Sequence, residues 1–396
     1  MECKGRPVTD EAGDVAPRPG GGAPQIRRTP EAWRRGLVDG DVFRSEQARL
    51  RSIWTLIGLT TELRRDGDWI ARDLWGHSVF VQRFGDTIKG FENRCAHRFH
   101  PVRNADNGNG PVRCGFHGWR YDQDGVAVAI PMCGELFGCT PGELNARLSP
   151  VEISVCGTLI FGRIDACGAR ESLPEYLGAM APILETLSAE AGPAQRFDRP
   201  VAANWKLTYQ ITLDDYHIVA VHPSTFGAGG HRTRDSLSYF RAGPHIAMMG
   251  AKTRNPTLAA MSEACRAGHY EPDGYRIFHI FPNLVVLHTR NMRRWFVLVA
   301  QHRALAVDRT LVRTWVFPAS FGLPRSAAER ITDMVLDLPL TLIMRTGASM
   351  IAAEDNAVCA RLQSVAHQTS GVPILGAEEE RVAWFDEAYA RIMAEG

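Results

Sequence analysis

Two Cys-His pairs carry the strongest chemical signal in this sequence. The first is Cys95-x-His97, and the second, after sixteen intervening residues, is Cys114-x2-His117. Thiolates and imidazoles are side chains that bind soft and borderline metal ions. Each pair is short enough to occupy the tip of one loop, so two opposed loops could close on one site. The spacing therefore predicts one metal centre with two ligands from each pair.

Two kinds of centre use two cysteines and two histidines: a structural zinc ion and a Rieske [2Fe–2S] cluster. Zinc fingers usually pair Cys with Cys and His with His along the chain. Here each pair contains one of each, which favours the iron–sulfur cluster. Cys95 and Cys114 would then bind one iron. His97 and His117 would bind the other, and their neutral imidazoles would raise the reduction potential of the cluster.

A second group of possible ligands lies in the second half of the chain. Asp214 and His217 are three residues apart and would share one face of a helix. His217 and His222 are five apart, so both could bind one metal only if the helix widens or ends there. Two histidines and a carboxylate form the non-heme Fe(II) site that activates oxygen. The best candidate for that carboxylate is Asp355, although Glu354 and Asp355 could instead begin a helix and complement its dipole.

The composition is that of an ordinary globular protein. The 396 residues are 45% hydrophobic and 22% charged, with a formal net charge of +1, so neither nucleic acid nor an anionic membrane is indicated. Nine cysteines spread along the chain are unlike a disulfide framework and typical of a reducing cytosol. No leader is found, and the longest apolar run, 335–344, contains Asp337 and Pro339. We therefore expect a cytoplasmic protein.

Short strands must position the two Cys-His pairs. Strand-like runs divided by Gly and Asp turns are found at 69–71, 78–83, 87–91, 151–155 and 158–161. They predict a domain of small antiparallel sheets over residues 41–165, with a short amphipathic helix at its start, 41–58. Residues 1–40, rich in Gly, Pro and Arg in their first part, are expected to form a disordered N-terminal arm and lead-in.

The second group of ligands belongs to a domain of a different kind, residues 166–396. Strands are predicted at 275–281, 284–288, 295–301 and 310–316. Helices are predicted at 173–191, 209–221, 327–344 (bent at Pro339) and 378–393. Strands combined with one long helix indicate an α+β domain whose sheet wraps the helix and leaves a pocket.

Together these motifs resemble those of the large (alpha) subunit of Rieske non-heme iron aromatic-ring-hydroxylating oxygenases. The resemblance covers about residues 40–395 and rests on the segments 93–98, 114–119, 204–206, 214–217 with His222, 281–283 and 354–355. It implies an N-terminal Rieske [2Fe–2S] domain of small antiparallel β-sheets and a C-terminal helix-grip (START-like) catalytic domain. By the same resemblance Asp355 joins His217 and His222 as a ligand of mononuclear Fe(II).

The resemblance also gives Asp214 a role, since the matching residue of the family is not a ligand. It is an electron-transfer bridge between a Rieske histidine of the neighbouring subunit and an iron histidine. Here it would link His117 of one chain to His217 of the next, which implies a head-to-tail homotrimer, with or without a small beta subunit. Two segments depart from the family pattern. Tyr209-Gln210-Ile211 lacks the acid common before this Asp, and Phe99-His100-Pro101 replaces the usual Gly and aliphatic residue.

The implied activity needs an external source of electrons. No Gly-x-Gly-x-x-Gly after a strand and no Walker loop is found, so a separate NAD(P)H-dependent reductase, directly or through a ferredoxin, would supply them. The resemblance implies a terminal oxygenase that uses O2 to hydroxylate or cis-dihydroxylate an aromatic substrate. Monooxygenation with O- or N-demethylation is the alternative. Remoter alternatives are a Rieske electron carrier with an inert second domain and a START-like ligand-binding module.

The substrate is less well defined by the sequence. Asp214, where relatives acting on quaternary amines often have Glu, favours aromatic substrates. Arg290, Arg293 and Arg294 could bind an aromatic carboxylate through their planar guanidinium groups, or they could simply be solvated.

Overall fold

The computed structural model describes residues 24–164, 171–189, 194–223, 237–250, 253–291, 294–321 and 326–394. The chain divides into two compact units. One unit is Arg44–Tyr176, and the other combines Met1–Phe43 with Leu177–Gly396.

Helices and strands alternate irregularly along the described residues. The helices are α1 Pro30–Val38, α2 Gly40–Leu50, α3 Cys133–Phe137, α4 Pro141–Leu144, α5 Leu173–Leu177, α6 Met180–Ser188, α7 Trp205–Gln210, α8 Ile218–Val221, α9 Leu258–Arg266, α10 Ala327–Val365 and α11 Glu380–Ala394. The strands are β1 Thr55–Leu59, β2 Asp68–Leu74, β3 His77–Phe84, β4 Thr87–Glu92, β5 Asn107–Asn109, β6 Val112–Arg113, β7 Arg120–Tyr121, β8 Ala127–Ala129, β9 Pro150–Cys156, β10 Leu159–Arg163, β11 Gln195–Val201, β12 Leu237–Ala242, β13 His245–Gly250, β14 Arg276–Ile280, β15 Leu284–Asn291, β16 Arg294–Ala306 and β17 Arg309–Ala319.

The unit Arg44–Tyr176 is built from antiparallel strands. Seven strands form one sheet in the order β1-β10-β9-β4-β3-β2-β5, and β6, β7 and β8 form a smaller one. Tight turns set the register: Trp75 and Gly76 both have positive φ and join β2 to β3, which is the two-residue loop that matches strand twist. A buried cluster that includes Phe80, Phe91 and Trp119 packs beneath the two Cys-His loops. The predicted small antiparallel sheets are confirmed.

The other unit is an α+β arrangement around one long helix. Its sheet has seven antiparallel strands in the order β11-β17-β16-β15-β14-β13-β12. One face of α10 packs on this sheet through residues four apart, Leu340, Met344, Ala348 and Ala352. Such a spacing places side chains in one row along a helix, so a single apolar stripe meets the sheet. This sheet wrapped on a helix confirms the predicted α+β class.

Several predicted helices differ from those observed, and the one expected at 173–191 is divided into α5 and α6. The helix expected at 327–344 continues as α10 for 39 residues with Pro339 inside it, because its apolar stripe extends past the proline along the sheet. The helix expected at 41–58 ends with α2 at Leu50. Its last part is instead strand β1, whose residues are all buried and pair with β10.

The N-terminal arm also differs from expectation where it is described. Residues 1–23 lie outside the described residues, but Ile26 is buried and α1 spans Pro30–Val38. The Arg28 guanidinium bonds the carboxylate of Asp386 on α11, with 2.6 Å between Nε and Oδ1. Composition predicts disorder for the first part of the segment, to about residue 30, and cannot register this long-range ion pair, which ties Arg28 to α11.

Part of α10, Val335–Gln368, is long and apolar enough to meet a length-and-composition test for crossing a membrane. Several of its apolar side chains are exposed, among them Val335, Leu338 and Leu342. One such helix is weak evidence for a membrane-spanning segment, since the apolar stripe described above is packed on the sheet. Localisation in the cytoplasm stays a prediction.

Gly162 in β10 generates a testable prediction about the first unit. A Cβ there would lie 3.3 Å from the Glu152 carbonyl oxygen and 3.1 Å from Ile153 Cδ1, and closer still to Ile57 Cδ1. We expect Gly162→Ala to lower the free energy of unfolding by about 1–3 kcal/mol, because the buried strands must move apart. Urea unfolding followed by circular dichroism measures it. Gly134→Ala in α3, where a Cβ meets nothing within 4 Å, is the control and should not be destabilising. Equal stability of the two variants would contradict the packing described.

Candidate functional site

The two Cys-His loops share one backbone geometry. In the first, Cys95 N donates to His100 O (2.9 Å) and Phe99 N donates to Cys95 O (2.9 Å). In the second, Cys114 N donates to Trp119 O (2.9 Å) and Gly118 N donates to Cys114 O (3.1 Å). The fourth residue after each cysteine has positive φ, +61° at Phe99 and +76° at Gly118. Both loops therefore project their Cys and His side chains in the same way.

These loops bring the four predicted cluster ligands together. The Nδ1 atoms of His97 and His117 are 3.1 Å apart, while Cys95 and Cys114 are buried beneath them. Burial and the neighbouring His117 lower the pKa of His97, which favours the neutral ligand form. Two ring nitrogens that face each other at this distance need a proton or a metal between them. Two buried sulfurs with two outer imidazoles fit the donor set of a Rieske cluster.

Aromatic side chains hold these ligands in place. Trp119 stacks on the His97 ring, with centroids 4.9 Å apart and planes 4° apart. The Tyr121 hydroxyl accepts from Ala96 N at 3.1 Å and lies 2.9 Å from Cys95 Sγ. Because that backbone N–H already uses an acceptor lone pair, the hydroxyl proton is free to point at the sulfur. A hydrogen bond to a cluster sulfur is one of the ways in which a protein sets the potential.

A break in the helix explains how His217 and His222 converge. Helix α7 ends at Gln210, a 3-10 turn follows at Ile211–Leu213, and Asp214 is extended with φ −111° and ψ 128°. The short helix α8 then runs between His217 and His222 as its two caps. The single helix predicted at 209–221 is thus wrong, because it is interrupted before His217. Of the two alternatives for the pair of histidines, the structure shows that the helix ends, since α8 stops at Val221 and His222 is its C-cap.

Asp355 completes the group of three. Its Oδ1 atom lies 2.9 Å from His222 Nε2 and 3.4 Å from His217 Nε2. One ligand atom from each of the three residues lies within 4.8 Å of the other two. Oδ1 is buried, and among the described residues no hydrogen bond of regular geometry reaches it. A buried carboxylate oxygen facing two imidazole nitrogens is suited to a metal ion.

The position of Asp355 in the fold decides between the two interpretations of this acid pair. Glu354 and Asp355 lie well inside α10, which begins at Ala327. They therefore do not complement the dipole at a helix start, and that alternative is wrong.

Each histidine of the group is also held from its other side by a carboxylate. His222 Nδ1 lies 2.7 Å from Glu354 Oε2, and His217 Nδ1 lies 3.3 Å from Asp214 Oδ2. Such partners fix the imidazole orientation and leave Nε2 for a metal. Burial lowers the pKa of His217, but the bonds to Asp214 and Asp355 outweigh it and raise that pKa to about 9. The position therefore attracts positive charge, as a cation site must.

The segment that departs from the family pattern lies just before these ligands. Tyr209 is fully buried, and the buried Gln210 amide nitrogen donates no hydrogen bond within the part of the chain that the structure describes. Within the described residues Asp214 accepts instead from the Tyr216 backbone N–H at 2.6 Å. The local turn thus supplies a hydrogen bond to Asp214 that does not depend on residue 209 or 210.

A cavity of 680 Å³ opens beside Asp355. Most of its wall is apolar, with Phe197, Leu287, Leu298, Ile343, Met344 and Ile351 among the residues that line it. The neutral polar residues of the wall are Thr208, Thr212, Thr289, Asn291, His302, Thr314 and Asn356. Its other acid, Asp215, is paired with Arg381 at 2.5 Å. A cavity of this volume and character suits a small, largely apolar molecule.

Arg290 and Arg294, two of the arginines expected to bind a carboxylate, are not among the residues that line this cavity. Arg294 is bonded to both oxygens of Asp337, at 2.7 and 2.9 Å. Arg290 lies over the Trp295 ring, 5.9 Å from its centroid, and Arg293 lies outside the described residues. No Lys or Arg is among the described residues that line the cavity. The expectation of carboxylate binding by these arginines is therefore not supported.

Comparisons with known proteins identify a family for each of two parts of the chain. Residues 188–395 match the ring hydroxylating alpha subunit (catalytic domain) family, and residues 53–141 match the Rieske [2Fe-2S] domain family. The chain is 32% identical over 247 residues to the benzene 1,2-dioxygenase alpha subunit of Pseudomonas putida, which covers 59% of this chain and 50% of that one. It is 28% identical over 215 residues to the N,N-dimethyl phenylurea N-demethylase alpha subunit of a Sphingobium species, covering 50% and 46%. These matches span about half the length of the curated relatives.

The fold is also that of a solved structure. Naphthalene 1,2-dioxygenase from a Rhodococcus species, bound to indole, superimposes with a TM-score of 0.72 over 91% of this chain and 94% of that one. The two sequences are 21% identical, so this similarity concerns the fold alone.

Glu354 provides a test of the metal site. We expect Glu354→Gln to weaken Fe(II) binding about 10- to 100-fold, because the charged partner of His222 Nδ1 is lost while its shape is kept. Anaerobic equilibrium dialysis of the metal-depleted protein measures this. Glu263→Gln, on the exposed side of α9, is the matched control and should bind Fe(II) like the wild type. Unchanged affinity in Glu354→Gln would contradict the role assigned to this carboxylate.

Proposed function

This chain belongs to the family of ring-hydroxylating oxygenase alpha subunits, and on that premise we propose that it is the terminal component that oxidises a neutral aromatic substrate. The observation that carries the proposal is the convergence of His217, His222 and Asp355 at the wall of an apolar cavity. Members with this pair of domains are Rieske oxygenases, which are oxidoreductases. Substrate, product and electron partner are the parts that we propose.

The residues divide between two cofactors. Cys95, His97, Cys114 and His117 would hold the [2Fe–2S] cluster. His217, His222 and Asp355 would hold the mononuclear Fe(II). When bound, these groups supply stored electrons and O2 activation, respectively.

The protein's own side chains bind and orient. Glu354 and Asp214 hold the two imidazoles with Nε2 toward Asp355. The apolar wall, including Phe197, Leu298 and Ile351, holds a ring beside the ligands and excludes bulk water. We therefore infer that the first product is a hydroxylated or cis-dihydroxylated ring.

Asp214 is proposed to act between subunits. Its Oδ2 atom faces His217 while Oδ1 accepts from Tyr216, and the side chain is 18% exposed. A partly exposed carboxylate beside His217 is suited to receive His117 of a neighbouring chain in a head-to-tail trimer. A separate NAD(P)H-dependent reductase, directly or through a ferredoxin, would deliver the electrons in the cytoplasm.

Demethylation by monooxygenation is the second candidate. It is supported by the similarity to an N-demethylase alpha subunit, and the same ligands and cavity serve both reactions. The two differ in their products, since demethylation releases formaldehyde and dihydroxylation places two hydroxyls on the ring. A non-catalytic electron carrier or binding module would leave the three converged ligands without a role.

His217→Ala separates the two metal sites. We expect it to keep the visible absorption of the cluster and lose substrate-dependent O2 uptake, because only one ligand of the mononuclear site is removed. Iron and acid-labile sulfide analysis with an oxygen electrode measure both properties. His367→Ala, at an exposed 3-10 turn, is the control and should retain full uptake. Oxygen uptake at the wild-type rate in His217→Ala would exclude the assigned iron site.

Mixed oligomers test the transfer between subunits. Chains with Cys114→Ala lack the cluster and chains with His217→Ala lack the iron, so each should be inactive alone. In a mixed head-to-tail ring of three, only one pair of neighbouring chains combines an intact cluster with an intact iron site. We therefore expect such rings to show about one third of the wild-type O2 uptake. Adding Asp214→Asn to the Cys114→Ala chain should remove most of this activity. Mixed oligomers that hold both metals yet stay inactive would exclude transfer between neighbouring chains.

A further inference from the structure

His302 is a buried side chain of the cavity wall that the proposed oxygenation does not use. It lies on β16, and its side chain lines the same cavity as Asp355. Its backbone N–H donates to Asn283 O at 2.9 Å, and its carbonyl accepts from Asn283 Nδ2 at 3.0 Å. The edge of its ring meets Tyr209, with centroids 5.6 Å apart and planes at 87°. The imidazole is therefore held in one orientation.

One ring nitrogen has a partner that fixes the proton. His302 Nδ1 lies 3.1 Å from Thr208 Oγ1. That hydroxyl donates its only proton to the Trp205 carbonyl at 2.9 Å. It must then accept from His302, so Nδ1 carries the hydrogen and Nε2 is left with a bare lone pair.

The other nitrogen, Nε2, is buried and has no hydrogen-bond partner among the described residues. Two further buried histidines, His279 and His288, each have an unpartnered ring nitrogen, but neither lines the cavity. A buried acceptor without a partner is unfavourable, so a donor from outside the chain is expected to meet it.

The imidazole is also uncharged. Burial lowers the pKa of His302 to about 3, so it stays neutral in the physiological range. A neutral ring with a bare lone pair repels a carboxylate and cannot donate to an ether or ketone. It can accept from an O–H or N–H group.

We propose that His302 Nε2 accepts a hydrogen bond from the substrate, which is a neutral, largely apolar molecule that carries one O–H or N–H donor, such as a phenol or an aryl amide. This inference rests on the proposed function, because it takes the cavity as the substrate site. Thr208 is a positioning residue, since it acts on the substrate only by fixing the proton of His302. A bare hydrocarbon would bind less well because it leaves Nε2 without a partner. An aromatic carboxylate would bind less well because its negative charge would face the lone pair of Nε2.

The test is a binding comparison on the iron-loaded protein. Isothermal titration uses 2-naphthol and, as its blocked counterpart, 2-methoxynaphthalene, with phenol and anisole as a smaller pair. We expect each donor to bind about tenfold more tightly than its ether, which is the effect of one hydrogen bond. In His302→Phe that preference should fall below twofold while the ether binds as before or more tightly.

Two further variants distinguish recognition from packing. Thr208→Val frees the Nδ1 proton and should reduce the preference for the donor, whereas Thr314→Val, at another cavity hydroxyl, should retain it. The inference would be overturned if the preference for the donor over its ether survived in His302→Phe. It would also be overturned if the wild type showed no such preference or bound none of the four probes. If the wild type prefers the donors but shows no substrate-dependent oxygen uptake, the proposed function is wrong and this inference stands. If it takes up oxygen with other substrates but shows no preference for donors, this inference is wrong and the proposed function stands.

Discussion

The catalytic unit depends on a partly buried concentration of negative charge. Three carboxylates, those of Asp214, Glu354 and Asp355, surround two imidazoles. Negative charge that is partly withdrawn from water is unfavourable without a partner, so these carboxylates favour a protonated imidazole or a bound cation between them. Helix α10 carries two of the three acids in adjacent positions, which lets one orient a histidine while the next faces both Nε2 atoms. The long helix, its stripe on the sheet and the break after α7 all serve this convergence.

The sequence predicted best what is local in the chain. The Cys-His spacings define two loop tips, and the structure brings all four side chains together. Asp355 could be assigned as a ligand only by resemblance, because it lies more than 130 residues from His222 and no local spacing relates the two. The prediction that Arg290 and Arg294 bind a carboxylate substrate is unsupported for the same reason. The partner of Arg294 is Asp337, which lies on another element. Burial of Ile26 and the Arg28–Asp386 pair are also tertiary facts that composition cannot contain.

The cavity combines apolar walls with neutral polar groups contributed by distant elements. His302 lies on β16, Thr208 on α7 and Asn356 on α10, and no spacing in the sequence relates them. A titratable group that burial keeps neutral can discriminate between hydrogen-bonding patterns without selecting for charge. In the function proposed above, selectivity and oxygen chemistry would use different histidines in the same unit.

Phe99 makes the two Cys-His loops unequal. Gly118 adopts its left-handed backbone at no steric expense, whereas a residue with a Cβ disfavours that region by about 1–2 kcal/mol. The Arg94 guanidinium, 5.7 Å from the Phe99 ring centroid, offsets part of this. The first loop therefore carries a backbone strain that the second lacks. The loop of Cys95 and His97 relies on its surrounding contacts to keep this conformation, whereas the backbone of the loop of Cys114 and His117 adopts it unaided.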